Sequence, residues 1–176
     1  MDGGDRAAVL ITGIYGTGKS TVAVELVETI EQRDLPYAFF DLDYLAWGTP
    51  RAGEDPHVTG RMLIRNLTSL ADNFLEEGVR YFVLAGLVRD AERVRRMEEA
   101  IRTPLRVVRL TVSWPEIEHR LGADPTTSRA ADLRRAAEQF ASSEGEGVED
   151  IAVDNDRPVA EVAAEILDWL GWPDAS

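Results

Sequence analysis

VLITGIYGTGKSTVAVELVETI, Val9–Ile30, passes from a short apolar run into a loop with three glycines and then into a helical pattern. The loop Gly13-Ile14-Tyr15-Gly16-Thr17-Gly18-Lys19-Ser20 satisfies G-x-x-x-x-G-K-[ST] at every fixed position. Glycines let backbone wrap a phosphate and aim its N–H groups inward. The first helical turn, through Thr21, adds unsatisfied donors and the positive end of the helix dipole. Lys19 is a compact charge on a flexible stem, suited to the β- and γ-phosphates, and Ser20 offers a hydroxyl to Mg²⁺. Gly13, Tyr15, Gly16, Thr17, Gly18, Lys19, Ser20 and Thr21 are therefore the expected ATP-binding set. Lys19 is also the chain's single lysine among 19 Lys+Arg residues. A chain that uses arginine everywhere else keeps lysine where a planar fork cannot replace it. A chance glycine-rich turn would not need the strand before it and the helix after it. A dinucleotide fingerprint fails because Thr21 stands where its third glycine should be.

Outward from this loop, apolar runs alternate with helical patterns, the signature of a parallel α/β sheet. Strands are expected at Ala7–Thr12, within PYAFFDLD and ending near Asp41, at RYFVLAG, at LRVVRLTV and at VEDIAV. Helices are expected after the loop, over RMLIRNLTSLADNFLEEG with a stripe of Leu63, Leu67, Leu70 and Phe74, and over the charged surface stretch DAERVRRMEEAIRT. Three more follow: WPEIEHRL, about Ala130 to Ala141, and a last helix whose Val159, Val162, Ala163, Ile166 and Leu170 share a face. The expected fold is a three-layer α/β sandwich with a five-stranded parallel sheet and helices on both faces. It is expected to occupy 1–176 as one domain. Ligands of such sheets sit at the C-terminal ends of the strands.

Composition narrows the function classes. The 176 residues carry a formal charge of −13, contain no cysteine and are 44% hydrophobic. The acidity disfavours a nucleic-acid polymer as partner, because such binding draws its affinity from cationic contacts to phosphates. Without cysteine there is no disulfide and no thiolate metal site. No apolar run approaches a membrane span, and the acidic start is not a signal peptide. A cytoplasmic protein without membrane contact is expected, as monomer or homodimer.

Among phosphate-loop proteins, a GTPase would need a second lysine to read guanine. An AAA-type ATPase would end an inner strand in a carboxylate, and VLAGLVRD does not. FFDLDYLAW instead places Asp41 and Asp43 two apart at a strand end, and on a strand that spacing puts both on one face. Beside a Mg-nucleotide, one carboxylate can hold the metal while the other orients and deprotonates an acceptor hydroxyl.

With these residues the chain resembles the small-molecule P-loop kinases: shikimate kinase, gluconate kinase, adenylylsulfate kinase and chloramphenicol phosphotransferase. The resemblance spans nearly the whole chain. It rests on the phosphate loop, the Asp-x-Asp, the HRL helix with its polar continuation, and the terminal IAVDNDRPVAEVAAEIL. It implies a nucleoside-monophosphate-kinase-like fold, with Asp43 on the acceptor side and Asp41 nearer the metal. It also implies a lid at about 120–130 and an adenine-side loop including Asn155, Arg157 and Pro158. Related lids carry a second arginine three or four residues after the first; here Ala123 and Asp124 stand there. Arg120 and Arg129 are the candidates to stabilise the transferring phosphoryl group. For a small-molecule acceptor, Arg51 and Arg89 are candidate anion ligands and Trp47 a stacking or packing residue. The expected activity is ATP-dependent transfer to a hydroxyl. A nucleotide-binding regulator with lost or weak transfer and a free-standing NTP hydrolase are the competing readings.

Overall fold

The computed structural model describes residues 6–48, 58–123 and 129–172. Strand β1 (Ala7–Thr12) lies at the centre of a five-stranded sheet of order β2-β3-β1-β4-β5. Its partners are β2 (Tyr37–Asp41), β3 (Tyr81–Ala85), β4 (Leu105–Thr111) and β5 (Ile151–Asp154), and every pairing is parallel. All five C-terminal ends therefore lie along one edge.

Alternation along β1 divides the core. Val9 and Ile11 face the side covered by α1 (Lys19–Gln32) and α7 (Val159–Leu170), with Leu26, Ile30, Val162 and Ile166 fully buried against them. Ala8 and Leu10 face the opposite layer, where α3 (Val58–Glu76) and α4 (Ala91–Ile101) bring Leu67, Ala71, Met97 and Ile101. A strand buried on both faces reads as an unbroken apolar run, which is why VLI carries no polar residue. Each such side chain contributes about 1.5–3 kcal/mol by leaving water. A smaller cluster of Val112, Ile117, Leu121 and Ala136 joins α5 (Trp114–Ala123) to α6 (Arg129–Ala141) and packs on Ile14 and Tyr15. This third pair of helices thus rests on the phosphate loop itself.

Two expectations are corrected. The strand carrying Asp41 ends there, and Asp43 lies in a short helical turn, α2 (Leu42–Leu45). Asp41 caps that turn, its carboxylate accepting the Asp43 N–H at 3.0 Å, so the two carboxylates do not share a strand face. A polar side chain able to bond its own backbone two residues on turns the chain there. In α3 the buried positions are Leu63, Leu67 and Ala71, whereas Phe74 is exposed and reaches only the edge of Phe40. The helix turns a slightly different face inward than its larger apolar residues suggest.

Candidate active site

The phosphate loop runs from the tip of β1 to the first turn of α1. Gly18 sits there in the left-handed region at φ 85°, and a Cβ on it would come within 2.8 Å of the Asn155 amide nitrogen. Gly13, at φ 143°, has no room either: a Cβ would meet Thr17 Oγ1 at 2.7 Å and the Leu110 carbonyl at 2.9 Å. Both positions demand glycine by conformation and by contact.

The loop is tied in place from several sides. Thr17 is buried, and its hydroxyl donates to the Ile14 carbonyl at 2.9 Å. Lys19 Nζ donates to the same carbonyl at 3.0 Å. Buried Asn155, at the exit of β5, donates through Nδ2 to the Thr17 carbonyl at 2.8 Å. Arg120 of α5 donates to Glu116 at 2.8 Å, to the Asn155 carbonyl at 2.6 Å and to the Thr17 carbonyl at 3.5 Å. Arg120 therefore rivets the phosphate loop to the segment after β5. The backbone N–H of Tyr15 donates to Gln139 Oε1 at 2.8 Å, so α6 holds the other end of the loop.

Burial lowers the Lys19 ammonium from its ordinary range to about 8. Asp43 and Asp41 work against that shift, and the positive charge of Arg135 works with it. Arg135 also lies over the Tyr15 ring, its guanidinium carbon 5.3 Å from the centroid. Its field reaches Lys19, which makes Arg135 a cation beside the phosphate loop in addition to the Arg120 and Arg129 expected from the sequence. The signal available was spacing: Arg135 and Gln139 are four apart and lie on one helical face. The side chain of Arg129 lies outside the described residues, as do Arg51 and residues 124–128 of the expected lid.

Ser20 Oγ donates to Asp41 Oδ2 at 2.8 Å. This joins the loop's hydroxyl to the carboxylate at the tip of β2, two strands away in the sheet. Two hard oxygen donors side by side suit Mg²⁺, which takes one or two protein oxygens and completes its octahedron with phosphates and water. Among the described residues no cluster of three or more His, Cys, Asp or Glu could hold a metal by protein ligands alone. Asp43 is exposed beyond that pair, turned away from the core.

The remaining expected residues are dispersed. Arg157 turns outward to an ion pair with Glu165 on α7 and donates to the Asp154 carbonyl at 3.1 Å, while Pro158 begins that helix. Thr21 is exposed in the first turn of α1. Arg89 is exposed at the exit of β3 and forms an ion pair with Glu144 in the turn after α6. Trp47 is 78% exposed, its ring 5.3 Å from that of Tyr44.

No protein-family model matches the sequence, and no curated protein matches it either. Solved structures do. A tunicamycin resistance protein of Deinococcus radiodurans superposes with a TM-score of 0.63 at 20% identity, over 97% of this chain and 99% of that one. A sugar kinase from Janibacter gives 0.69 at 19% identity, over 94% and 95%. The APS kinase of Mycobacterium tuberculosis, solved with AMPPNP and APS, gives 0.61 at 22% identity, over 96% and 100%. The chain has the fold of the small-molecule P-loop kinases. At these identities the likeness is one of fold, and the site must speak for its own chemistry. No described helix is long and apolar enough to cross a membrane.

Proposed function

We propose that this chain transfers the γ-phosphoryl group of ATP to a hydroxyl of a small molecule. The observation that carries this reading is the Ser20–Asp41 hydrogen bond with exposed Asp43 two residues further on. It sets a metal-competent oxygen pair against the phosphate loop and a second carboxylate on the side where an acceptor would enter. That the APS kinase of this fold was solved with AMPPNP and APS supports the same division of the site.

In this reading the loop N–H groups and Lys19 bind the β- and γ-phosphates. Bound at Ser20 and Asp41, Mg²⁺ would neutralise phosphate charge and orient the chain of phosphates. Asp43 accepts the acceptor's hydroxyl proton as the acceptor oxygen bonds to the γ-phosphorus. The bond from that phosphorus to the β–γ bridging oxygen breaks in line, and ADP departs. Arg135, above Tyr15, stabilises charge on the equatorial oxygens in transit. Arg120 positions the loop and the nucleotide's near end. A low Lys19 pKa fits the role: an ammonium poorly solvated by the protein gains most when phosphate replaces the missing water.

ADP release from Mg-ATP tests the proposal, for wild type and Asp43→Asn, alone and against pooled hydroxyl-bearing acceptors. Release that rises with one pool in wild type only is the expected result. Substantial acceptor-independent release would identify an NTP hydrolase instead. A nucleotide sensor has one observation in its favour, the engagement of Arg120 by three partners within the fold. It predicts a nucleotide-induced rise in Tm with no acceptor-dependent release and no effect of Asp43→Asn.

A further inference from the structure

A cleft of about 790 Å³ opens between the first turn of α3, the exit of β3 and the first turns of α4. Its lining includes Gly60, Arg61, Arg89, Asp90, Arg93 and Arg96. It lies at the end of the sheet beside the Asp41–Asp43 turn. β2 and β3 are paired neighbours with Asp41 opposite Ala85, so the β3 exit leaves the sheet beside the Asp41–Asp43 turn. A Cβ on Gly86 would meet Leu42 of that turn at 2.7 Å, and Asn66 of α3 donates to the Leu45 carbonyl at 2.6 Å.

Four arginines around one opening are unexpected in a chain of net charge −13. Local carboxylates answer some of this charge. Glu144 pairs with Arg89, and Glu92 is shared between Arg96 and Arg95. Asp90 is committed to capping α4, accepting the Arg93 N–H at 2.8 Å. Arg93 is the exception. It is half-buried, its guanidinium donates to the neutral Gly60 carbonyl at 3.3 Å, and among the described residues it makes no ion pair. Burial depresses its pKa, and the charges of Arg96 and Arg89 push the same way against Asp90. Guanidinium groups grouped like this present flat forks of N–H donors, a geometry suited to phosphate, sulfate or carboxylate.

We infer that this cleft, centred on Arg93 and Arg96, receives an anionic group of the acceptor, so that the substrate is an anionic hydroxyl compound rather than a neutral one. The inference rests on the transferase reading for the word acceptor; the anion site itself does not. Arg61 and Arg89 flank the bound group, and Arg89 exchanges Glu144 for it as the site fills. An anion anchored there holds the rest of the molecule toward Asp43, with the distance between anion and reacting hydroxyl serving as the selection rule.

The test uses the whole chain saturated with Mg-AMPPNP, so that the phosphate loop is filled, and titrates inorganic sulfate and phosphate while arginine Nε–H signals are followed by NMR. Saturable shifts of the Arg93 and Arg96 signals are expected, with affinity falling about tenfold to a hundredfold in Arg96→Gln and in Arg93→Gln. Arg102→Gln, at the end of the same helix but paired with Asp72 away from the cleft, should leave the titration unchanged. Absence of saturation, or an equal effect of Arg102→Gln, overturns the inference. Exposed Arg96 keeps the test open should Arg93→Gln fail to fold. In turnover, anionic acceptor pools should be used and Arg96→Gln should raise their KM. Turnover of neutral acceptors alone, unaffected by Arg96→Gln, overturns the inference and leaves the transferase standing. No turnover with any pool counts against the transferase, and the sulfate titration still decides the cleft.

Discussion

The two halves of the site are built differently. On the phosphate side, buried Thr17, Asn155 and Gln139 hold the loop by hydrogen bonds from β5 and α6, and Arg120 crosses from α5 to lock two of these segments together. On the side that the transferase reading gives to the acceptor, Asp43, Tyr44, Trp47 and Arg89 are all exposed, and they sit on short connections. A triphosphate has the same shape whatever the reaction, so its cradle gains by being rigid before binding. In the transferase reading the acceptor's half of the site can differ in chemistry and size, because it is carried on loops set on a rigid scaffold.

The largest expected effect breaks the rigid half. Lys19→Met should lower kcat/KM by about a thousandfold or more and abolish the nucleotide-induced rise in Tm, since no other lysine exists to replace the charge. Asp43→Asn separates the halves: acceptor-dependent turnover should fall about a hundredfold to ten-thousandfold, with Mg-ATP affinity by calorimetry nearly unchanged. Equal losses of affinity and turnover would show that Asp43 serves the nucleotide rather than the acceptor.

These two substitutions also mark what could be read in advance. The phosphate loop was legible because its geometry is imposed by residue type: glycine at positive φ, lysine as a point charge, a hydroxyl after it. The sheet was legible because strands buried on both faces must be continuously apolar. The acceptor half was not, because its geometry depends on where distant elements meet. Asp41 and Asp43 were expected on one strand face, but Asp41 bonds the backbone of Asp43 and ends the strand. The stretch holding Arg93 and Arg96 reads as a charged surface helix, and Arg95 with its two glutamates is one. Only the packing of α4 against α3 turns its neighbours into the wall of a cleft.

A finer contrast lies within the cations around the phosphate loop. Arg135→Gln should reduce kcat about tenfold to a hundredfold with little change in the KM for ATP, whereas Arg120→Gln should weaken ATP binding. Acidity sharpens the same side. In the nucleotide-free protein burial brings the Lys19 pKa down to about 8, and bound phosphates are expected to hold it protonated by their opposite charge. Nucleotide binding therefore takes up a proton above that pH, and affinity should fall about tenfold per unit as pH rises beyond 8. For stability the sign is opposite. Lys19 binds its proton less tightly in the folded state than in the unfolded chain, so between pH 8 and 10.5 the unfolded state carries more protons. Ligand-free wild type should gain stability relative to Lys19→Met across that window, by about 3 kcal/mol in all. Denaturant titrations of the two proteins at both ends measure the difference. The smallest effect belongs to the open half: Trp47→Ala, at a side chain 78% exposed, should change unfolding free energy by less than about 0.5 kcal/mol.

The solitary lysine has one more consequence. Its pKa of about 8 leaves a share of the amine neutral and nucleophilic near physiological pH, and no other side chain in the chain carries a primary amine. A lysine-directed acylating reagent would therefore mark a single side chain, and the yield of that one adduct would read how much of the phosphate loop is filled.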